Sequence, residues 1–580
     1  MTGERICIME YKNKYIERLI SRMTVDQKVG QMMTLGFAGV VAKSNIYEYI
    51  TKYHCGGLRL SPEVRTFGAY VNPLTGKQVM DYGNVSGVKY GKQAPVCSMS
   101  HYKKVLSDLQ RAARNRPLGI PLHLATDMEG GTSTDPYWDE LNKFPRPMGL
   151  RATDDSRLAY EVAKASARQL SSLGINWIHS PVLDVNSETR NPEIYIRSYS
   201  EKAEEVAEYS EQTCRGFKEG GVVATGKHFP GRGHSAIDAH FQLPTIEVGR
   251  DMMGKRELLP YKNLIAKGLL PCIMIAHSIF PAYDPDNIST VSKKVITGLL
   301  REELGFEGVV TTDSMTMGAI ASTYGVANAC AMALEAGADL VLMKAENQLV
   351  EETFNKIKEF VVSGRISAQD LDDKMYRILS TKYEYGLFHE SRNNEESPEE
   401  VAASREIIEL SKQVARRSVV VARDRKGLLP LCDQDENILI VEQKVKEYNG
   451  LHWHSGILHE DCLKYNPRVK YLETDYTFDD ADKASIEARL EQYDTIVITN
   501  YYLRGSLNNR DFIDSLCKKN PEKKIIVVTN TPYEELSIPQ NAGTVIVSFT
   551  SAPNNVEVVA GVLFGKMTAE GVWPVARRVD

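Results

Sequence analysis

The feature of the sequence that most constrains the fold is a regular alternation of short apolar runs with helical patterns. Eight apolar runs predict strands, and most are separated by stretches with helical periodicity. The predicted strands are Gln31–Leu35, Gly57–Leu60, Pro121–Ala125, Asn176–His179, Val222–Thr225, Cys272–Ala276, Val309–Thr312 and Leu340–Met343. Eight strand–helix units over about 350 residues predict an α/β fold with an N-terminal (β/α)8 TIM-type barrel. A doubly wound open sheet is the alternative that the same alternation allows.

A second and smaller unit is predicted after a polar segment. His389–Glu400 is charged and contains a proline, which is typical of interdomain linkers. A predicted helix, Val401–Arg417, comes next, and the strands after it predict a C-terminal α/β sandwich. These strands are Val419–Ala422, Ile438–Val441, Thr495–Thr499, Ile525–Thr529 and Val545–Phe549. We therefore expect a barrel domain over residues 1–388, a linker over 389–400 and a sandwich domain over 401–580.

Composition excludes several classes of protein. The chain is 42% hydrophobic and 25% charged, which excludes a disordered chain, a collagen and a membrane bundle. Its 70 Lys and Arg against 76 Asp and Glu form no basic stripe, so we expect neither nucleic acid nor an anionic membrane as a partner. The nine cysteines are scattered without a CxxC pair, and no apolar stretch has the length of a signal peptide or a membrane span. We therefore expect a reduced, cytoplasmic protein, and the sequence predicts no oligomeric state.

Polar side chains follow five of the predicted barrel strands at their carboxyl ends. They are Asp127 and Glu129 after the third strand, Asp184 after the fourth, Lys227, His228, His234, Asp238 and His240 after the fifth, His277 after the sixth and Asp313 after the seventh. Because the carboxyl ends of barrel strands meet at one mouth, we expect these side chains to converge on one pocket. Acids without a phosphate-binding loop indicate acid/base chemistry or a carboxylate nucleophile.

The seventh strand and the loop after the fifth supply candidates for that chemistry. Asp313 follows an apolar strand that holds it rigidly toward the mouth, which suits a nucleophile. Asp238 and His240 lie two residues apart, and an aspartate beside a histidine orients the ring and stabilises its charged form. The same two residues could also bind a metal together with His228 and His234. The spacing of these four residues, however, matches no known metal-binding motif. We therefore expect no metal and no other cofactor.

Several stretches of the chain match the motifs of one family. They are Lys227–Gly231 with Asp238–His240 (KHFPGxGxxxxDxH), Glu302–Met317 (LGFxGxxxxD), Gly174–Tyr199 (GxNxxxxPxxD, NP and RSF-like), and the tail stretches Ser418–Leu431 and Leu563–Pro574. On these motifs the chain resembles glycoside hydrolase family 3, in particular its β-N-acetylglucosaminidase branch. The resemblance covers nearly the whole chain and implies a two-domain member. Thr132 departs from it, since many relatives have an arginine there, and the long insertion Pro62–Pro95 is expected to shape the entrance.

The resemblance implies a role for each matching residue. Asp313 is expected to be the nucleophile, His240 the general acid/base and Asp238 the partner of His240. The residues expected to hold or line the sugar in the −1 subsite are Asp127, Arg197, Lys227, His228, His277 and Met317. The implied activity is that of a retaining exo-β-N-acetylglucosaminidase. Its expected partner is a small carbohydrate, a cell-wall fragment in peptidoglycan recycling or a chitin oligosaccharide with terminal β-linked N-acetylglucosamine.

Charge arguments extend this expectation and leave alternatives open. Lys227 and Arg197 are expected to favour the ionised form of Asp313, and Asp238 to keep a proton on His240 near neutral pH. Once deprotonated, a histidine acid is neutral and repels an anionic acceptor less than a carboxylate does, so a phosphorylase is one alternative. The others are a β-glucosidase or β-xylosidase of the same family, and a sugar-binding protein without activity.

Overall fold

The computed structural model describes most of both predicted units. It describes residues 3–62, 64–65, 69–71, 78–80, 92–93, 97–131, 135–136, 138–238, 242–344, 349–389, 396–431, 436–444, 448–449, 457–502 and 509–577. Most of the insertion Pro62–Pro95 and the position of Thr132 therefore lie outside the described residues.

Eight parallel strands form a closed barrel. They are β1 (Met33–Ala38), β2 (Gly57–Ser61), β3 (His123–Thr126), β4 (Trp177–Ile178), β5 (Val223–Phe229), β6 (Cys272–Ile275), β7 (Val309–Ser314) and β8 (Leu340–Met343). They follow one another around the barrel in chain order, and β8 pairs with β1. The predicted barrel is confirmed, and the open sheet is wrong. Helices cover the outside of the barrel, so its strands are buried on both faces and appear in the sequence as continuous apolar runs.

Helices surround the barrel, and short strands form small separate sheets. The helices are Gly3–Arg22, Val25–Gln31, Ser44–Thr51, Met99–Arg114, Pro147–Ala152, Ser156–Ser172, Ala203–Glu219, Arg250–Lys255, Leu259–Ala266, the π-helical Lys294–Glu303, Gly318–Tyr324, Val326–Glu335, Val350–Val362 and Ala368–Glu384. The short strands are Val64–Arg65, Ala69–Val71, Gln78–Met80, Lys92–Gln93, Ile279–Phe280, Asp284–Ile288 and Tyr448–Asn449, and single 3-10 turns lie at Pro117–Gly119, Tyr195–Arg197 and Ser289–Val291.

Local sequence explains where these helices begin and end. The Asp155 side chain accepts a hydrogen bond from the backbone N–H of Arg157 and so caps Ser156–Ser172 at its first turn. The same helix ends before Gly174, which has a φ of 91° that favours glycine. These two features place this helix directly before β4.

A second sheet of six strands follows the barrel. Its strands are β9 (Val420–Asp424), β10 (Ile438–Lys444), β11 (Lys470–Asp475), β12 (Thr495–Thr499), β13 (Lys524–Thr529) and β14 (Thr544–Val547). Their order in the sheet is β9-β14-β13-β12-β10-β11, with β9 antiparallel to β14 and the other pairs parallel. The helices of this unit are Arg405–Ser418, Ile457–Leu463, Asp480–Glu487, Arg510–Lys519 and Pro553–Leu563, with a 3-10 turn at Leu490–Gln492. The predicted sandwich is confirmed.

The junction between the two units differs in detail from the prediction. Where the sequence predicts one helix over Val401–Arg417, the structure has Pro398–Ala402 and then Arg405–Ser418. The first of these begins inside the predicted linker, because Ser397 and Glu400 cap it reciprocally and a proline occupies its first position. Residues 390–395 lie outside the described part of the chain, so the predicted domain boundaries stay a prediction. No helix among the described residues is both long and apolar enough to cross a membrane.

Candidate active site

The carboxyl ends of the barrel strands bring charged side chains together at one mouth. The predicted residues Asp127, Arg197, Lys227, His228 and Asp313 all belong to one network of ion pairs and hydrogen bonds. Every link in it is short enough for direct contact, as the following distances show.

Asp127, which follows β3, is the meeting point of several cations. Its Oδ1 lies 3.1 Å from Lys227 Nζ, and its Oδ2 pairs with Arg59 and lies 3.6 Å from Lys344 Nζ. The ring of His179 approaches Oδ1 at 3.5 Å. Burial opposes the ionisation of Asp127, but Arg59 and Lys227 outweigh it and hold its pKa well below the usual range. Asp127 is therefore a carboxylate at neutral pH.

Glu129 lies between two cations at the floor of the mouth. Arg197 holds it through two hydrogen bonds of 2.7 and 3.0 Å, and Lys227 Nζ lies 2.5 Å from its Oε1. Burial would raise the pKa of Glu129, yet the charges of Arg197 and Lys227 lower it. Burial likewise opposes the charge on Lys227, but Asp127 and Glu129 raise its pKa. The two-point contact fixes the orientation of the Arg197 guanidinium.

His228 and Asp184 form a second buried pair beside the first. His228 Nδ1 lies 2.7 Å from Asp184 Oδ2, and the backbone N–H of His228 donates to the same oxygen at 3.2 Å. Burial raises the pKa of Asp184 to about 6, and burial together with the charge of Arg232 lowers that of His228 well below its usual value. When Asp184 is ionised it can only accept, so Nδ1 then carries the ring proton. Nε2 then faces Arg197 Nη2 at 3.5 Å as an acceptor.

Asp313, at the end of β7, is paired with a cation that the sequence analysis did not select. Its Oδ1 accepts the backbone N–H of Ser314 at 2.7 Å, and its Oδ2 lies 3.6 Å from Arg232 Nη2. The same Nη2 lies 2.9 Å from Glu193 Oε1. Lys227 and Arg197, which the sequence analysis expected beside Asp313, both pair with Glu129 instead, because Glu129 lies directly between them.

Solvent exposure separates the front of this network from its back. The side chains of Asp127 and Asp313 are 21% and 17% exposed, whereas those of Arg197, Lys227 and Arg232 are at most 9% exposed. Among the described charges of the network, these two carboxylates are thus among those most open to the mouth. A ligand entering the mouth can therefore touch both of them.

His277 and Met317 lie beside Asp313 through a shared neighbour. His277 is fully buried, with Nε2 3.0 Å from the Ser314 carbonyl oxygen and Nδ1 2.6 Å from Thr290 Oγ1. The backbone N–H of Met317 donates to the same Ser314 carbonyl at 3.0 Å. Both residues therefore brace the end of β7, where Asp313 is carried.

The predicted acid/base pair is described only in part. Asp238 is buried, and its carbonyl accepts the backbone N–H of Gln242 at 3.1 Å. His240 lies outside the described residues, as do the residues on either side of it. The pairing of Asp238 with His240 therefore stays a prediction.

One group of carboxylates in the described part of the chain has the spacing of a cation site, and it lies away from the mouth. Asp475, Asp479 and Asp482 bring ligand oxygens close together in the second sheet's unit. Asp479 accepts the backbone N–H of Asp482, and Asp482 accepts the backbone N–H groups of Asp475 and Asp479. A helix cap therefore accounts for Asp479 and Asp482.

Sequence reasoning missed several members of the network. They are Arg59, His179, Glu193, Arg232 and Lys344, and it assigned no role to Glu129 and Asp184. Arg59 lies within β2, and Lys344 directly follows β8. The rule that polar residues at carboxyl strand ends are functional would have selected Lys344, had it been applied to all eight strands.

Comparison with known proteins agrees with this arrangement. The family model described as "Glycosyl hydrolase family 3 N terminal domain" matches residues 24–381, more than half of the chain. Beta-hexosaminidase A of Pseudoalteromonas piscicida is 28% identical over 381 residues, which are 62% of this chain and 61% of that protein's length. Beta-hexosaminidase of Alkalilimnicola ehrlichii is 32% identical over 293 residues, which are 50% of this chain and 78% of that protein.

A solved structure extends the comparison to both units. The glycoside hydrolase family 3 beta-N-acetylglucosaminidase from Paenibacillus sp. str. FPU-7 superposes with a TM-score of 0.82 at 28% identity, covering 96% of this chain and all of that one. The barrel and the second sheet are thus parts of one shared architecture. The chain belongs to glycosyl hydrolase family 3.

Proposed function

We propose that this protein is a retaining exo-β-N-acetylglucosaminidase. The observation that carries the proposal is the setting of Asp313: a carboxylate open to the mouth, fixed to a barrel strand and backed by the buried Arg232. The names of the relatives, beta-hexosaminidase and beta-N-acetylglucosaminidase, supply the sugar. The substrate class that we propose is a cell-wall fragment or chitin oligosaccharide with terminal β-linked N-acetylglucosamine, cleaved in the cytoplasm during recycling.

The proposed reaction has two steps. In the first, Asp313 forms a bond to the anomeric carbon while the charged His240 gives its proton to the leaving oxygen, so the glycosidic bond breaks. In the second, the neutral His240 takes a proton from water, the water oxygen bonds to the anomeric carbon, and Asp313 leaves as a carboxylate. Two displacements on opposite faces retain the β configuration. Asp238 is proposed to keep His240 protonated before the first step.

The remaining residues are proposed to bind rather than react. Asp127 is open to the mouth and ionised, so it suits hydrogen bonds from sugar hydroxyls. Arg197, Lys227 and His228 are proposed to form the floor of the same subsite, since carboxylates already compensate the charges of Arg197 and Lys227, and Asp184 holds the His228 ring. His277 and Met317 are proposed to line the pocket by holding the end of β7.

Release of nitrophenol from the β-N-acetylglucosaminide and the β-glucoside tests the proposal. We expect strong preference for the N-acetyl sugar, and a loss of at least about 10⁴-fold in Asp313→Asn. His240→Ala is expected to lose about 10²–10⁴-fold on chitobiose, whose leaving group needs a proton, and less on the nitrophenyl substrate. Asp475→Asn, in the other unit, is the control and should leave both rates unchanged.

The same assay separates the alternatives. Preference for the plain glucoside would contradict the proposed sugar and favour a β-glucosidase. Full activity of His240→Ala on chitobiose would place the acid elsewhere. Formation of the sugar 1-phosphate when phosphate is added would show that phosphate, rather than water, is an acceptor.

A further inference from the structure

The carboxyl edge of the second sheet lies against the barrel. Tyr502 follows β12, Tyr533 follows β13, and Phe549 and Thr550 follow β14. In open α/β sheets this edge is where ligands bind. Here the barrel occupies it: a Cβ added to Gly131, just past Glu129, would lie 3.1 Å from Thr550 Oγ1. The edge has therefore become a docking surface for the barrel loops that surround the mouth.

Tyr502 makes a specific contact with one of those loops. Its hydroxyl donates to the carbonyl oxygen of Pro192 at 2.9 Å, and its ring packs edge-on against Tyr195 with centroids 5.2 Å apart. Asn530 holds the backbone of Tyr502 from both sides, with hydrogen bonds of 2.8 and 2.9 Å. Tyr502 is thus a firmly held residue of the second unit that contacts the segment Pro192–Arg197, which follows β4.

The segment Pro192–Arg197 contains a strained residue that neighbouring contacts must stabilise. Tyr195 has a φ of 31°, in the left-handed region that a bulky residue rarely adopts. Strain of this kind persists when surrounding contacts determine the conformation. Tyr502 lies against the ring of Tyr195, and the Arg146 guanidinium lies 5.5 Å from the centre of the same ring. Tyr195 and Ile196 also belong to the apolar cluster of the second sheet.

The segment carries two members of the charged mouth. Glu193 pairs with Arg232, and Arg197 pairs with Glu129. Arg197 Nη1 in turn donates to the Glu193 carbonyl at 3.1 Å, so a shift of the segment moves both residues together. Rotation about Tyr195 would change the position of Arg197 directly.

We propose that Tyr502 is a positioning residue of the barrel's active site, which it serves by holding Pro192–Arg197 in its strained conformation and so aiming Arg197 at Glu129. The inference rests on the proposed function for its effect on catalysis. It gives the second unit a part in the reaction, although no carboxylate of that unit is needed for it.

Steady-state kinetics on the N-acetylglucosaminide tests the inference. Tyr502→Ala is expected to lower kcat/KM by about 10–100-fold, since small misplacements of binding groups have effects of this size. Tyr502→Phe keeps the ring but loses the bond to Pro192, and should fall between wild type and Tyr502→Ala. Tyr471→Ala, which removes a ring that packs against His459 from the edge strand β11, is the control and should stay within about twofold of wild type.

A double-mutant cycle separates positioning from general stability. If Tyr502 acts through Arg197, Tyr502→Ala should have less than about a twofold effect once Arg197→Lys has already removed the two-point contact. The same fold-change in both backgrounds would overturn the inference.

Backbone hydrogen exchange tests the inference without measuring enzyme activity. The backbone N–H groups of residues 193–197 should exchange faster in Tyr502→Ala than in wild type or Tyr471→Ala. Unchanged exchange would overturn the inference, whatever the enzyme cleaves. If wild type cleaves neither sugar but exchange does respond, the anchoring stands and the proposed function fails.

Discussion

At the scale of single residues, the mouth of the barrel is built from buried opposite charges that compensate one another. Glu129 lies between Arg197 and Lys227, and Arg232 lies between Glu193 and Asp313. Removing one partner of such a buried pair typically costs about 3–5 kcal/mol, because the other charge is left uncompensated. The network therefore fixes the geometry of the mouth, and Asp313, the proposed nucleophile, lies at its open end.

Replacing Arg232 with methionine is expected to move the acidic limb of the kcat/KM profile to higher pH. The Arg232 charge lies 3.6 Å from Asp313. It also opposes the burial that raises the pKa of Asp184 to about 6. Loss of this cation disfavours the ionised form of Asp184, so Asp184 takes up a proton at higher pH and activity is lost earlier on acidification. The measurement is kcat/KM between about pH 4 and pH 8.

Two variants control this prediction. Arg232→Lys keeps the charge and should keep the acidic limb near its wild-type position. Arg301→Met removes another largely buried arginine, which pairs with Asp339 at 2.7 Å at the opposite end of β7. It should lower stability without moving the limb. An acidic limb that does not move in Arg232→Met would contradict the electrostatic role given to Arg232.

At the scale of elements, the carboxyl ends of strands carry the chemistry and glycines let the loops there approach closely. Gly233, in the loop after β5, is such a position. A Cβ added there would lie 1.8 Å from the Val185 carbonyl oxygen and 2.5 Å from its carbon, both backbone atoms of the loop after β4. The two loops therefore touch at Gly233, and the candidate residues Asp238 and His240 follow it.

Gly233→Ala is expected to lower both activity and stability. Because the obstacle is backbone, the loops must separate, and we expect kcat/KM to fall by at least about 10-fold and stability by about 1–3 kcal/mol. Gly298→Ala is the control, since it adds the same methyl group in the helix Lys294–Glu303, where the nearest atom lies 4.0 Å away. Urea unfolding and kinetics of both variants measure the effects, and equal behaviour would contradict the close approach.

The burial of each strand determines how much of the fold and of the site can be predicted from the sequence. All eight barrel strands are predictable because parallel strands covered on both faces are continuous apolar runs. The edge strand β11 (Lys470–Asp475) is not predicted, because it is only partly buried and its charged residues interrupt the apolar pattern. Asp127 and Asp313 are predictable from their places after strands. The pairing of Asp313 with Arg232 is not, since it depends on how the loops after β5 and β7 fold toward each other.

At the scale of the whole molecule, the two units share an apolar interface. Met148 and Ala152 of the barrel, together with Tyr195 and Ile196, belong to the apolar cluster of the second sheet. Phe549 is fully buried there, and its Cβ would lie 2.8 Å from a Cβ added to Gly149. Sequence alone does not predict this interface, because each of its apolar residues is equally well explained by the core of its own unit.

Phe549→Ala is expected to separate the unfolding of the two units. Deleting this ring should lower the free energy of unfolding by about 3–5 kcal/mol, and much of the loss comes from contacts between the two units. Wild type should unfold in one calorimetric transition and Phe549→Ala in two. Phe478→Ala removes a buried ring inside the second unit, packed edge-on against Phe512, and should lower the transition temperature without splitting it. Two transitions in wild type would contradict the coupling.

The central claim, that Asp313 is the nucleophile of a retaining N-acetylglucosaminidase, is tested most directly by trapping the glycosyl-enzyme. A 5-fluoro N-acetylglucosaminyl fluoride slows the second step, so the sugar should accumulate on the protein and appear in its intact mass. Peptide mapping should then place it on Asp313, with no label on Asp313→Asn. A label on another residue, or turnover of the N-acetylglucosaminide with inversion and no label, would contradict the account.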